Sequence, residues 1–295
     1  MKPSFAALLV TTAGLALLAC AQAPPSPFAF GKASPDSLEL TENGQPVFVY
    51  NHGMILQEGV DPKYRRSSYL HPVYAPDGTV LTDDFPKDHY HHRGICWTWP
   101  EVTIEGVTHD IWAVKGMEQR FVTWLKREVH ADRAVLAVEN GWYVMGSDMR
   151  SVREIVEITV HPAQNNRRHI DFVLTFETVD APVEISGREK KGYGGFGVRY
   201  APRTETVLRT EAGVEPKDTD MVPHPWAELE ATFENGRRAG LRIEDHPENP
   251  GEGPVGWCLR HYGYVAANYP GLEKITLGAD KPLTLRYRVT VFSTT

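Results

Sequence analysis

The chain holds only 3 cysteines among 295 residues, which excludes a disulfide-dense scaffold. With Cys20 assigned to lipidation, Cys96 and Cys258 remain. An oxidising compartment permits a bond between them, but two small buried side chains is the plainer reading. No apolar run after Leu18 reaches the ~20 residues that a spanning helix needs. A basic surplus is missing too. The formal net charge of −7 argues against the positive surface of a nucleic-acid binder. There is no G-x-S-x-G elbow, no H-E-x-x-H helix and no nucleophilic-cysteine motif. The run Gly192-Tyr193-Gly194-Gly195 has no helical pattern behind it, so it lacks the context of a phosphate-binding loop. Helical periodicity is itself nearly absent.

What is present begins with a leader. Lys2 precedes a mostly apolar stretch from Phe5 to Leu18, the layout of a secretory signal peptide. Leu17-Leu18-Ala19-Cys20 resembles a bacterial lipobox, with Cys20 as the lipidated residue. The rival cut after Ala21-Gln22-Ala23 is disfavoured by Pro24. The expected layout is a signal peptide at 1–19, a lipid-anchored or flexible Pro-rich tether at 20–36, and one β-sandwich domain at 37–295. The expected location is the periplasm or cell envelope, with membrane contact only through the N-terminal anchor.

Strand alternation recurs along the rest. Ile170, Phe172, Leu174 and Phe176 alternate with Asp171, Thr175 and Glu177. Leu283, Leu285, Tyr287, Val289 and Val291 alternate with Thr284, Arg286, Arg288 and Thr290. Leu229, Ala231 and Phe233 precede an Asn235-Gly236 turn. Further strands are expected near 38–42, 45–50, 94–99, 102–112, 119–129, 134–144, 152–160, 183–186, 194–200, 240–245, 257–265 and 273–277. This pattern predicts an all-β fold, a large antiparallel β-sandwich. Two long polar loops, 57–92 and 245–256, are expected to meet at one site.

The densest chemistry is "DHYHHRGICWTW", Asp88 to Trp99. A strand starting at His89 would set His89, His91, Arg93, Ile95, Trp97 and Trp99 on one face. His92, Gly94 and Cys96 would then take the other face. Imidazoles near their ordinary pKa of about 6.5 suit general acid–base work. Arg93 suits orientation of an oxygen-bearing group, and indoles suit the C–H face of a sugar. An H-x-H metal pair of His89 and His91, completed by Asp83, Asp84 or His71, is the second reading. Histidines that only tie loops, over core tryptophans, is the third. A second cluster comprises Lys190, Lys191, Tyr193 and Arg199. Asp245 and His246 follow at a strand exit, then Arg260, His261, Tyr262 and Asn268 near glycine turns. The many acidic residues leave a glycosidase-type carboxylate pair open, without selecting two.

At His71, Pro72, Asp88, His89, His91, His92, Arg93 and Gly94 the chain resembles a bacterial family labelled "methane oxygenase PmoA" or a domain of unknown function. The later Lys191-Gly192-Tyr193-Gly194-Gly195 and Asn268-Tyr269-Pro270-Gly271 also resemble it. The resemblance implies a supersandwich similar to that of galactose mutarotase, a class whose sites use His, Arg and carboxylates on a concave sheet. It also implies a cell-envelope protein acting on a sugar or glycoside. Residues and resemblance together nominate His89, His91, His92 and Arg93 as catalytic. They nominate His71, Asp88, Trp97, Lys191, Tyr193, Arg199, His246, Arg260 and Tyr262 as substrate-binding. No cofactor, resident metal or nucleic acid is expected. The reaction left open is epimerisation, hydrolysis or elimination. The alternatives are a non-catalytic glycan-binding lipoprotein and a His-ligated metal-dependent oxygenase.

Overall fold

The computed structural model describes residues 26–294. Cys20 and the leader lie outside them. Among the described residues the protein is all-β, built on three antiparallel sheets. The first sheet runs, edge to edge, Phe28–Ser34, Ser37–Glu42, Gln45–Asn51, Tyr69–Val73, Ile95–Thr98, Gly195–Arg199, Tyr264–Ala267, Gly256–Arg260 and Thr219–Pro223. The second runs Gly213–Glu215, Arg203–Thr210, Trp226–Phe233, Arg238–Asp245, Leu283–Ser293, Arg167–Thr178, Arg150–Val160, Ala134–Val144 and Met117–Val129. A small third sheet comprises Ile275–Leu277, Val183–Ser186, Glu101–Ile104 and Val107–His109.

Alternation explains the packing. Ile170, Phe172, Leu174 and Phe176 pair in register with Val289, Tyr287, Leu285 and Leu283. Both rows enter one apolar core that also takes Trp97, Phe196, Val265 and Trp257 from the first sheet. Within that core, the buried Glu154 carboxylate accepts from Trp97 Nε1 (2.9 Å), Trp142 Nε1 (2.6 Å), Gln119 Nε2 (2.9 Å) and Asn140 Nδ2 (2.8 Å).

Several boundaries differ from expectation, each for a local reason. Residues 28–34 are not tether: Phe28–Ser34 pairs with Ser37–Glu42 as an edge strand. The 102–112 strand is a hairpin, because Glu105 and Gly106 both take positive φ (49° and 80°), the geometry of a two-residue turn. The 257–265 strand likewise folds back through a turn ending at Gly263, φ 101°. Tyr69–Val73, Arg203–Thr210, Gly213–Glu215 and Thr219–Pro223 are additional strands, disguised by a proline or by polar side chains on both faces.

The two cysteines are free. Cys96 pairs with Gly197, Gly197 with Ala266, and Ala266 with Cys258. They therefore stand three inter-strand spacings apart, about 14 Å, beyond the reach of a disulfide.

Candidate functional site

The row Cys96, Gly197, Ala266 and Cys258 faces away from the main core and forms a floor of small side chains. Tyr264, one step along the same face, lies on it. A Cβ at Gly197 would meet the Tyr264 hydroxyl, so the glycine makes room for the ring. Trp112 Nε1 donates to Tyr264 Oη (3.3 Å). Above Tyr264 rises a column of rings. His92 stacks on Tyr264 (4.6 Å, 24°), His89 on His92 (4.6 Å, 7°), and Tyr262 on His89 (5.4 Å, 10°). His91 meets His92 and Trp112 edge-on, at 4.7 and 4.3 Å. The column climbs from buried His92 to Tyr262, which is 42 % exposed.

The strand expected from His89 does not form. His89 N–H donates to Pro86 O and His92 N–H to His89 O, both at 2.9 Å, so residues 86–92 are successive turns. Pairing as a strand begins only at Ile95. The turns bring His89, His91 and His92 together instead of sending His92 to the opposite face. Arg93 is the cause. It is 0 % exposed, and its guanidinium donates to Tyr90 O, His92 O (3.0 Å) and Tyr64 O. Its Nε faces Asp84 Oδ1 (3.1 Å), and Phe85 packs beneath it at 3.5 Å. The substrate-orienting role expected of Arg93 is therefore corrected: it knits the 57–92 loop. Arg66, which the sequence reading missed, does the same on the other side. It donates to Ile111 O, Trp112 O (2.7 Å) and His91 O (3.3 Å).

The charged edge of the column is Asp88. Its carboxylate accepts from Arg199 Nη2 (2.8 and 3.0 Å) and meets His89 Nδ1 at 3.0 Å. Burial opposes its ionisation, but the contacts with His89 and Arg199 outweigh that and hold the carboxyl below its ordinary range. Burial, with the Arg66 and His89 charges added, pushes His91 down to about 3. Burial and the adjacent His91 push His92 far lower. Both are therefore neutral at pH 7, which corrects the expectation of imidazoles titrating near neutrality. Several buried polar atoms here make no hydrogen bond: Nδ1 of His89, which meets Asp88 only as an ion contact, both ring nitrogens of His92, His91 Nε2, and Nε and Nη1 of Arg199. Arg199 also lies 5.0 Å from the Tyr262 ring.

The other nominated residues divide. Tyr193 packs on Trp112 (5.0 Å) and accepts from Arg188 Nε (3.3 Å), so the glycine-rich segment joins the site. Lys191 is exposed on the adjoining turn. Arg260 stands at the rim, committed to Asp220 and to Thr219 O (2.7 Å). Trp97 is 0 % exposed and donates to Glu154, so it is core and not a sugar platform. His71 lines a separate cleft, its Nδ1 3.0 Å from Thr82 Oγ1; burial and Arg93 push it down to about 4. His246 lies on the second sheet beside Asp171, Arg286 and Arg288. Loop 245–256 lines a cleft with Met221, Asn268 and Tyr269, and no residue of 57–92 lines that cleft with it.

Among the described residues no group of three His, Cys, Asp or Glu is arranged to hold a metal ion. His89 and His91, the expected pair, stand 5.7 Å apart at 80° with no third donor arranged beside them, and stacking keeps His89 and His92 from converging on one ion. Imidazole lone pairs lie in the ring plane, and the planes of His89 and His92 are within 7° of parallel. The aromatic partners Trp112 and Tyr264 were also missed by the sequence reading. Trp112 sits in a loop with no motif, and Tyr264 alternates with Val265 as any strand residue would.

Fold and site together define an antiparallel β-sandwich with a histidine–tyrosine column on the outer face of one sheet. The chain belongs to the family of unknown function DUF6807, which it matches over residues 37–295. The methane-oxygenase label suggested by the motif is not the description that this match carries. No curated protein matches the chain. Among solved structures it is similar to the heparan sulfate lyase HepC from Pedobacter heparinus (9 % identity, TM-score 0.40, 91 % of this chain and 36 % of that one). It is also similar to a heparinase III, the BT4657 gene product (11 %, 0.36, 91 % and 35 %). A third is a putative kojibiose phosphorylase from the human microbiome (11 %, 0.36, 88 % and 29 %). The chain thus spans about a third of the length of these structures. At such scores they bear on neither substrate nor mechanism.

Proposed function

We propose that this is a carbohydrate-active protein of the cell envelope that binds a sugar or glycoside at the histidine–tyrosine column and moves a proton there. The observation that carries the reading is the Arg199–Asp88–His89 relay. Asp88 faces His89 Nδ1 and is itself held by Arg199, which leaves His89 Nε2 as the free nitrogen. The His89 side chain is 37 % exposed, whereas His92 is buried. Tyr262 beside it offers an exposed ring for the C–H face of a sugar. Arg199, with two nitrogens unpartnered, takes the oxygen-orienting role first assigned to Arg93. Epimerisation, hydrolysis and elimination each require a proton moved beside a polarised C–O centre, and all three fit. Depressed basicity at His91 and His92 favours a second reading, a glycan-binding protein without turnover.

Turnover and affinity on a broad panel of glycosides separate the two. His89→Ala should lower turnover by about 10²–10⁴-fold, the usual contribution of a positioned proton carrier. Asp88→Asn should lower it as well, and affinity should change less than rate in both. Normal binding and turnover in a folded His89, His91, His92 triple-alanine variant would overturn the reading. Export with anchoring through Cys20 belongs to the same proposal. Mass spectrometry of the mature N-terminus should find a lipidated Cys20, whereas a soluble product beginning at Pro24 would remove the anchor and keep export.

A further inference from the structure

Beside the column lies a cleft of about 440 Å³ that the proposed chemistry does not use. His71, Val80, Thr82, Asp83, Pro202 and Asn235 line it. The walls are built. Asn235 Nδ2 donates to Thr79 Oγ1 (2.9 Å) and Arg237 Nη1 to Asp77 O (2.6 Å), pinning a hairpin of the second sheet to the 75–80 turn of the first.

His71 and Asp83 are each half engaged, whereas Thr82 Oγ1 is taken up by His71 Nδ1 and by the Val73 N–H (3.0 Å). His71 Nδ1 is held by Thr82 Oγ1, and Asp83 Oδ1 accepts from Asp84 N–H (2.9 Å). Nε2 of His71 and Oδ2 of Asp83 remain. Val80 and Pro202 add apolar surface. Hydroxyl-directed polar groups against small apolar faces, in a volume within the usual range for ligand sites, are what a pyranose ring requires.

The cleft is separate from the column but tied to it through the backbone. Asp83 N–H donates to Arg199 O (3.0 Å), and Thr82 bridges Tyr200. Burial raises the Asp83 carboxyl, and the Arg199 and Asp88 charges are both close enough to act on it. From Arg199, at the column, to Ala201, at the cleft, is two residues of extended chain, about 7 Å. That is on the scale of one sugar repeat.

Resting on the sugar reading above, we infer that the His71–Asp83 cleft is a second subsite, so that the ligand is an oligosaccharide spanning cleft and column. A monosaccharide fills only one of the two. The test is a glycan array of linkage-matched mono- to hexasaccharides, followed by titration calorimetry on the best series. The protein and two variants are compared: Val80→Trp, which adds bulk to the cleft lining, and Asp83→Asn.

The expected result is affinity at least tenfold higher for the disaccharide than for its monosaccharide. Val80→Trp, in a protein with unchanged thermal unfolding, should erase that ratio. Asp83→Asn should reduce it. Equal affinity for mono- and disaccharide, unmoved by either variant, overturns the subsite and leaves the sugar reading standing. No saccharide bound at any length overturns both.

Discussion

His91 shows what a sequence motif conceals. The string of imidazoles reads as titratable chemistry, yet enclosure by His92 and Trp112, with Arg66, Arg93 and Lys115 nearby, pushes His91 down to about 3. Because its folded pKa lies below the ordinary 6.5, the unfolded chain binds the proton more tightly. The contribution to stability is therefore complete above about pH 6.5 and is lost as the pH falls towards 3. Urea midpoints of the protein should fall between pH 7 and 4. His91→Phe keeps a ring against Trp112 but cannot titrate, so its midpoints should fall less steeply. Parallel slopes in the two proteins would show that His91 is not the titrating group. At this scale the sequence located the cluster, and Asp88, Arg199, Tyr193 and Tyr262 with it. It misread Arg93 and Trp97, because a charged or aromatic residue that is wholly enclosed looks the same in a string as one that faces a ligand.

Elements were legible where one face is buried and the other wet, as in Arg167–Thr178 and Leu283–Ser293, since alternation is then enforced. Strands went unseen where that contrast fails. Tyr69–Val73 contains a proline, and Arg203–Thr210 presents polar side chains throughout most of its length. The turn that delivers Tyr262 to the column illustrates control from a neighbouring element. Arg203 donates to Ala201 O (2.8 Å) and to His261 O (3.0 Å), and its guanidinium fills the space where a Gly263 Cβ would stand. Gly263 also holds φ 101°, a conformation that side chains strain. Gly263→Ala should thus displace Arg203 and cost about 1–3 kcal/mol in thermal or urea unfolding. It should also weaken saccharide binding by loosening Tyr262. A variant of native stability would mean that Arg203 can shift without consequence.

On the scale of the whole molecule, the second sheet is held to the first by more than apolar contact. Glu154 belongs to the second sheet, and Trp97, one of its donors, to the first. Burial raises the Glu154 carboxyl, and hydrogen bonds from Trp142, Trp97, Gln119 and Asn140 offset that rise only in part. All four partners donate, so the network suits an acceptor-only carboxylate. Alternation predicts that Glu154 points inward with Val152 and Val156, yet the pattern gives no reason for a charge there; only the donors that converge from both sheets supply one. Glu154→Gln changes little in volume but places an amide NH₂ against at least one of those donors. An unsatisfied buried group costs about 1–3 kcal/mol, so the urea midpoint should fall with the unfolding slope unchanged. Trp97→Phe removes the inter-sheet donor alone. If the network is a cross-sheet tie, the two changes should be non-additive, because both act on the same set of converging donors. Strict additivity in that double-mutant cycle would reduce Trp97 to an apolar filler and leave the sheets joined by packing only.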